Sequence, residues 1–141
     1  MPINSRNKGA AFEREICKKI NTYLASKGST KTVKRNLDQY QTKGMADIYW
    51  GNLAIECKRY KGNRKSDVFK NEWWNQAVES ANDNLIPILI YKYDRRPIYI
   101  VIPNYLIGES KEKNWQQFSM LPLSDICERL DEVVQKANGL K

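Results

Sequence analysis

The sequence predicts an α/β fold in which helices flank a central mixed β-sheet. Apolar residues recur at helical spacing in three segments of the chain, and short β-branched runs bounded by turn residues lie between those segments. The predicted order is αβββαββ followed by a C-terminal helix, an order typical of helices packed on a sheet. The 141 residues have the length of one ordinary domain. We therefore expect a single domain over 1–141, with a core at about 6–102 and a C-terminal extension at 103–141.

The first helix is predicted from about Lys8 to Lys27, with Gly28 as its C-cap. Its apolar stripe consists of Phe12, Ile16, Cys17, Ile20, Tyr23 and Leu24. Because helical residues advance by about 100° each, Glu13 falls inside this stripe and Glu15 falls on the polar face. A glutamate on a buried stripe is costly unless it is paired or binds a metal ion. Glu13 is therefore the functional candidate, and Glu15 is expected to be an ordinary surface residue.

The remaining elements follow from runs of apolar residues and from the turn residues between them. They are strands at 30–37, 46–50 and 53–58, a helix at 66–84 with Ser66 as N-cap, strands at 86–91 and 98–102, and a helix at 125–137 with Ser124 as N-cap. Residues 103–123 have no clear assignment. Trp73 and Trp74 are adjacent and cannot both face the core of one helix. One of them is therefore expected at the surface or at a helix edge under a loop.

The strands at 46–50 and 53–58 flank Gly51-Asn52, a two-residue loop typical of a type II′ hairpin. In such a hairpin the numbers of facing residues sum to 103, so Asp47 faces Glu56. Carboxylates on facing residues have Cβ atoms about 5 Å apart and repel each other unless a positive group lies between them. A divalent cation is the simplest such group. Lys58 projects from the same face as Glu56 and provides the alternative, a small surface cluster of ion pairs without a metal.

The composition excludes several classes of enzyme. The chain has no histidine, which excludes Ser-His-Asp and Cys-His hydrolases, nucleases with a histidine base and nearly every zinc site that contains histidine. The three cysteines are widely spaced and indicate neither a disulfide framework nor a thiolate zinc site. We expect a reducing location, the cytoplasm or the host cytoplasm for a viral gene. No apolar run has the length of a membrane span.

Three short motifs occur in order along the chain: Glu13 in the first helix, Gly44-Met45-Ala46-Asp47, and Ile55-Glu56-Cys57-Lys58. Together they resemble the PD-(D/E)XK nuclease superfamily and imply a restriction-endonuclease-like fold. The stretch 8–16, with its Lys-Gly pair and its Glu-Arg-Glu, more narrowly resembles the start of archaeal-type Holliday junction resolvases. The resemblance covers roughly residues 6–102, the expected nuclease core.

The resemblance implies a Mg²⁺-dependent DNA endonuclease in which Mn²⁺ also supports activity. Asp47, Glu56 and the backbone carbonyl of Cys57 would bind the metal, and Glu13 would bind or orient a second ion or its waters. Lys58 would orient the attacking water and help to deprotonate it. Carboxylate and carbonyl oxygens are ligands that Mg²⁺ prefers, and such ions stabilise phosphodiester hydrolysis. The implied substrate is branched DNA, above all the four-way junction, and two symmetric nicks in a junction imply a homodimer.

Two departures from the superfamily pattern are visible. Ala46 stands where proline is typical, and the hairpin is tighter than in many relatives, so a twist or a β-bulge is expected to splay the catalytic pair. Gln76 lies where some superfamily members carry a glutamine in the helix that follows the ExK strand. Tyr40 and Tyr60 are candidates for stacking on exposed bases, with ordinary packing as the alternative.

The positive charge of the chain is uneven. Of its net charge of +8, residues 1–70 contribute +10 (16 Lys or Arg against 6 Asp or Glu) and residues 71–141 contribute −2 (8 against 10). This asymmetry predicts a polyanionic partner, with an ordinary solvated face as the alternative. The candidates for contacts to DNA phosphates are Arg6, Lys8, Lys31, Lys34, Arg35, Lys43, Arg59, Lys61, Arg64 and Lys65.

Three other functions stay open at this point. The same acidic site would serve a PD-(D/E)XK nuclease of restriction or repair type that acts on flaps, nicks or duplex ends. A non-catalytic basic module would bind DNA without a metal, with the carboxylates in a structural role. Binding of RNA in the manner of ribosomal proteins fits the charge but leaves the pattern of Glu13, Asp47 and Glu56 unexplained.

Overall fold

The structure is a computed structural model that describes residues 5–36, 45–61, 68–82, 85–104, 118–122, 128, 130–132 and 134. Within them the chain forms α1 (Ser5–Ser26), β1 (Ile48–Trp50), β2 (Leu53–Tyr60), α2 (Asn71–Ala81), β3 (Ile86–Tyr93), β4 (Ile98–Pro103) and β5 (Phe118–Pro122). Residues 128, 130–132 and 134 are also helical, in agreement with the predicted C-terminal helix. The predicted N-caps Ser66 and Ser124 lie outside the described residues. No described helix is long and apolar enough to cross a membrane.

The strands form one sheet in the order β1-β2-β3-β4-β5. β2 and β3 are parallel and are joined by α2, whereas the other neighbouring pairs are antiparallel. The mixed α/β architecture is therefore confirmed, and it is consistent with the restriction-endonuclease-like fold that the resemblance implies. β1 is the edge strand of the sheet, so the β1–β2 hairpin with its acidic residues lies along one side of the molecule.

Two predicted turns are confirmed by their backbone geometry. Gly28 has a φ of +78°, and the N–H of the next residue, Ser29, donates to the carbonyl of Leu24 at 3.0 Å, which closes α1. Gly51 has a φ of +57°, whereas Asn52 does not have a positive φ, as a type II′ turn requires. The hairpin therefore has the predicted two-residue loop.

The predicted strand at 30–37 is wrong for the residues that the structure describes. Of these, Arg35 alone forms a bridge, an isolated one to Ile48 of β1. The physical reason lies in α1, where the Asn21 amide donates to the carbonyl of Val33 at 3.0 Å and accepts from its N–H at 2.7 Å. A helix side chain has taken the backbone groups that a neighbouring strand would otherwise bind.

Other boundaries also differ from the prediction. α2 begins at Asn71 because Lys70 is extended (φ −80°, ψ 138°), and it ends before Asn82, which has a φ of 56°. The strands predicted at 53–58, 86–91 and 98–102 each run further, and β1 is shorter than predicted. β5 lies in the stretch 103–123 that had no assignment.

The two faces of the sheet bury different cores. On one face α1 packs against alternate aliphatic residues of the strands, among them Ile55, Cys57 and Ile88. Leu130 and Val134 belong to this core, and the hydroxyl of Tyr23 donates to Asp131 Oδ2 at 2.7 Å. The opposite face is aromatic and is covered by α2, with Tyr91 fully buried at its centre. Odd-numbered and even-numbered residues of each strand thus point to different faces of the sheet and contribute to different cores.

The expectation that Trp73 or Trp74 is at the surface is wrong, since their exposed fractions are 3% and 4%. Trp73 packs on Tyr60 at 4.9 Å between ring centroids, and Trp74 packs on Phe118 of β5 at 5.0 Å. The two rings therefore have different aromatic partners within one cluster. The sequence argument failed because the aromatic face of the sheet extends to β5, in the stretch that had no assignment, where Phe118 covers Trp74.

Candidate active site

A β-bulge places Asp47 beside β2. The observed pairs Ile48–Ile55, Tyr49–Ala54 and Trp50–Leu53 confirm the predicted register. The N–H of Asp47 donates at 3.1 Å to the carbonyl of Ile55, the residue with which Ile48 already pairs. Two residues of one strand thus face one residue of the other, which defines a bulge. The expected bulge is present, but the splaying expected of it is not, because the Asp47 and Glu56 side chains stay within hydrogen-bond distance.

The bulge fixes the Asp47 side chain by a bond to the backbone. Its Oδ2 atom accepts from the N–H of Cys57 at 2.8 Å, so the carboxyl lies against the strand segment that presents Glu56. Asp47 and Glu56 share a side-chain hydrogen bond. The sequence prediction that these two carboxyls meet is therefore confirmed, although the bulge and not simple strand pairing sets their geometry.

Glu56 is held from the other side by α2. Gln76 Nε2 donates to Glu56 Oε1 at 3.2 Å. The Ser80 hydroxyl lies 3.2 Å from Glu56 Oε2 and 2.9 Å from the Gln76 carbonyl, so these two acceptors share its one hydrogen. Gln76 was singled out in the sequence, whereas Ser80 was missed. The available signal was its spacing, because residues four apart lie on one face of a helix and Gln76 already pointed to the acidic strand.

Burial dominates the electrostatics of the two carboxyls, which are only 5% (Asp47) and 3% (Glu56) exposed. Burial raises the pKa of Asp47 to about 6, against the N–H bond from Cys57, which lowers it. Burial and then the charge of Asp47 raise the pKa of Glu56 to about 9. The half-buried Lys58 lowers the pKa of both groups. The charged form of either carboxyl is therefore costly in this site unless a further cation compensates it.

Glu13 lies on the buried stripe of α1 at 6% exposure, whereas Glu15 is exposed, as the helical wheel predicts. The Oε1 atom of Glu13 is 3.0 Å from Nε of Arg35. Glu13 is also close enough to raise the pKa of Asp47. The sequence had placed Arg35 among the DNA contacts, and the structure shows that its guanidinium also has a partner within the chain.

The donor set of this site fits a hard divalent cation. Asp47 and Glu56 are buried carboxyls whose charged forms burial disfavours, so a bound cation would compensate them, and carboxylate oxygens suit Mg²⁺. In the described part of the chain, no three acidic or cysteine side chains are grouped closely enough to enclose a metal ion. A bound ion would therefore keep several waters, as Mg²⁺ commonly does.

The candidate DNA contacts have mixed placements. Arg59 forms an ion pair with Asp94, with Nη2 to Oδ1 at 2.9 Å, and Arg35 pairs with Glu13 as described. Lys31, Lys34 and Lys61 are exposed. Arg6 and Lys8 lie in α1, but their side chains are outside the described part. Tyr40, Lys43, Arg64 and Lys65 lie outside the described residues.

One curated relative is serine carboxypeptidase-like 26 from Oryza sativa subsp. japonica, which is 27% identical to this chain over 100 residues. The match covers 70% of this chain, and the chain spans 20% of the length of that protein. Because this chain has no histidine, it lacks a component of the Ser-His-Asp triad. No solved structure is significantly similar to the chain.

A family comparison agrees with the site geometry. Residues 4–139 match the family described as "Phage putative PDDEXK endonuclease". The match includes the helix with Glu13, the hairpin with Asp47 and Glu56, and α2, so it covers almost the whole chain. This protein therefore belongs to the phage PDDEXK endonuclease family.

Proposed function

We propose that this protein is a Mg²⁺-dependent endonuclease of branched DNA, with the four-way junction as its preferred substrate and a homodimer as its active form. The observation that supports the metal-dependent chemistry is the adjacent pair of buried carboxyls, Asp47 and Glu56, whose charged forms burial disfavours unless a cation lies beside them. The choice of a junction rests on the resemblance of residues 8–16 to Holliday junction resolvases. A single domain over 1–141 is part of the same proposal.

Each acidic side chain has a role in this proposal. Asp47 and Glu56, together with the carbonyl of Cys57, would hold the divalent cation, and Glu13 would bind or orient a second ion or its waters. When bound, the ion polarises the phosphate and supplies a more acidic water. The Cys57 N–H keeps the Asp47 carboxyl in place, and Gln76 and Ser80 hold Glu56. These bonds fix both carboxyls before substrate arrives.

The role of Lys58 in this proposal is to orient the attacking water and help to deprotonate it. In support, its ammonium group is close enough to Asp47 and Glu56 to lower the pKa of both carboxyls. Hydrolysis forms a bond from the water oxygen to phosphorus and breaks the P–O3′ bond. The water proton passes to solvent and the 3′-oxygen gains a proton, which leaves a 5′-phosphate and a 3′-hydroxyl.

The test is a cleavage assay on a labelled four-way junction, a flap and a linear duplex, each with Mg²⁺ or with EDTA, at a salt concentration that suppresses non-specific binding. We expect paired symmetric nicks in the junction with Mg²⁺ and none with EDTA. Cleavage of the flap or the duplex alone would assign the protein to another PD-(D/E)XK activity. Tight binding without cleavage in any metal would instead assign a non-catalytic DNA-binding module.

The α2 contacts to Glu56 give a smaller, separate prediction. Ser80→Ala removes one of the two side-chain donors to Glu56, and a hydrogen bond of this kind contributes about 1 kcal/mol, so the cleavage rate should fall about 3- to 10-fold. Asn75→Ala is the matched control, because Asn75 is exposed on the same helix. Equal rates for the two variants would show that Ser80 does not position Glu56.

A further inference from the structure

A positively charged groove runs along the outer side of α1. Its volume is about 750 Å³, and the basic side chains in its wall are Arg14, Lys18, Lys34 and Arg35. The other lining residues are uncharged polar or small ones, and among the described residues that line the groove none is acidic. Glu15, the nearest glutamate on the polar face of α1, does not line it.

The groove has a fixed shape because its two walls are bonded together. α1 forms one wall, and the segment 33–36 forms the other. Asn21 joins the walls through its two hydrogen bonds to the backbone of Val33. The segment 33–36 is also hydrogen-bonded to the residues that precede β1. The backbone N–H of Asn36 donates to the carbonyl of Asp47 at 2.7 Å, and the side-chain amide of Asn36 donates to the carbonyl of Ala46 at 3.0 Å.

One end of the groove meets the candidate active site. Arg35 lines the groove, and the same side chain contacts Glu13 at 3.0 Å. From Arg14 to Ala25 the lining residues span twelve positions of α1, whose eleven intervals give a length of about 16 Å at 1.5 Å per residue. This length corresponds to about 5 base pairs at 3.4 Å each. Arg14 and Lys18 lie one helical turn apart, so both project from the same side of α1.

We propose that this groove binds the sugar-phosphate backbone of the DNA flank on one side of the cleaved phosphate, over about 5 base pairs. The inference rests on the proposed endonuclease function and adds two contact residues, Arg14 and Lys18, to those that the sequence suggested. A wall of cations without acidic residues suits a polyanion, and phosphate contacts of this kind set the path of DNA without reading its sequence.

The test measures binding of a fluorescent four-way junction in EDTA, where no cleavage occurs, over a series of salt concentrations. The variant is Arg14→Gln with Lys18→Gln. Its matched control is Lys19→Gln with Lys27→Gln. Both lysines are exposed and lie outside the groove, and their replacement removes the same amount of charge as the groove variant. We expect the groove variant to bind about 10-fold more weakly than the control, with a salt slope lower by about 2.

A second measurement locates the groove on the DNA. Shortening one duplex flank below about 5 base pairs should weaken binding by the wild type and leave binding by the groove variant nearly unchanged. Equal binding and equal salt slopes for the groove variant and its control would overturn the groove assignment. Loss of affinity that is the same for every flank length would also overturn it. Cleavage by the wild type, measured in parallel, reports on the endonuclease function separately.

Discussion

Asp47→Asn is expected to lower the rate of DNA cleavage by about 1000-fold or more, a loss of about 4 kcal/mol of transition-state stabilisation. Asparagine has the shape of aspartate, and its amide oxygen can accept the N–H of Cys57 as the carboxylate does at 2.8 Å. The fold is therefore preserved. What is lost is the negative charge that a divalent cation needs beside Glu56.

DNA binding by the same variant should equal or exceed that of the wild type, because one negative charge near the phosphate is removed. Glu15→Gln is the matched control, since Glu15 is an exposed glutamate that loses the same charge. Cleavage rates and dissociation constants for the two variants check the prediction. Wild-type rates of cleavage by Asp47→Asn would remove Asp47 from the active site.

Glu56→Gln is expected to stabilise the metal-free protein at pH 8 by about 1–3 kcal/mol, because it replaces a buried group that favours the neutral form. The pKa of Glu56 is about 9 in the folded chain against an ordinary value of 4.5. The folded state therefore binds its proton more tightly than the unfolded state. This contribution to stability is complete below about pH 4.5 and is lost as the pH rises through 9.

Asp47 acts in the same direction over a narrower range, from its ordinary pKa of 3.8 to about 6. Thermal unfolding in EDTA checks the pH dependence expected from both carboxyls. The difference in melting temperature between Glu56→Gln and the wild type is compared at pH 5 and pH 8. The difference should grow with pH, and Mg²⁺ should raise the melting temperature of the wild type more than that of Glu56→Gln. If the melting temperatures of the wild type, Glu56→Gln and Glu15→Gln all changed equally with pH, the raised pKa assigned to Glu56 would be contradicted.

Local patterns in the sequence were sufficient for the parts of the site that depend on local geometry. The helical wheel separated the buried Glu13 from the exposed Glu15, and the two-residue turn fixed the register of β1 and β2, which brings Asp47 near Glu56 although the bulge sets their final geometry. Each of these inferences uses only the period of an element and the length of a turn. These inferences are correct because burial of one face determines both the apolar period of the helix and the register of the strands.

The features that the sequence did not reveal depend on residues far apart in the chain. Asn21 takes the backbone groups of Val33, twelve positions away, and so prevents a strand there. Trp74 is covered by Phe118, which lies in a stretch without any clear periodicity. The ion pairs of Arg35 and Arg59 also join distant segments, and a count of basic residues could not distinguish them from DNA contacts.

The bulge at Asp47 makes the site sensitive to the number of residues before β1 more than to their type. Ala46 is buried beside Ala54 and Ala81, and it occupies the position where proline is typical of the superfamily. Deletion of Ile48 would remove the bulge, pair Asp47 with Ile55 and turn its carboxylate away from Glu56. In related chains and in engineered variants, the spacing from this position to the hairpin turn should therefore vary less than the identity of the residues within it.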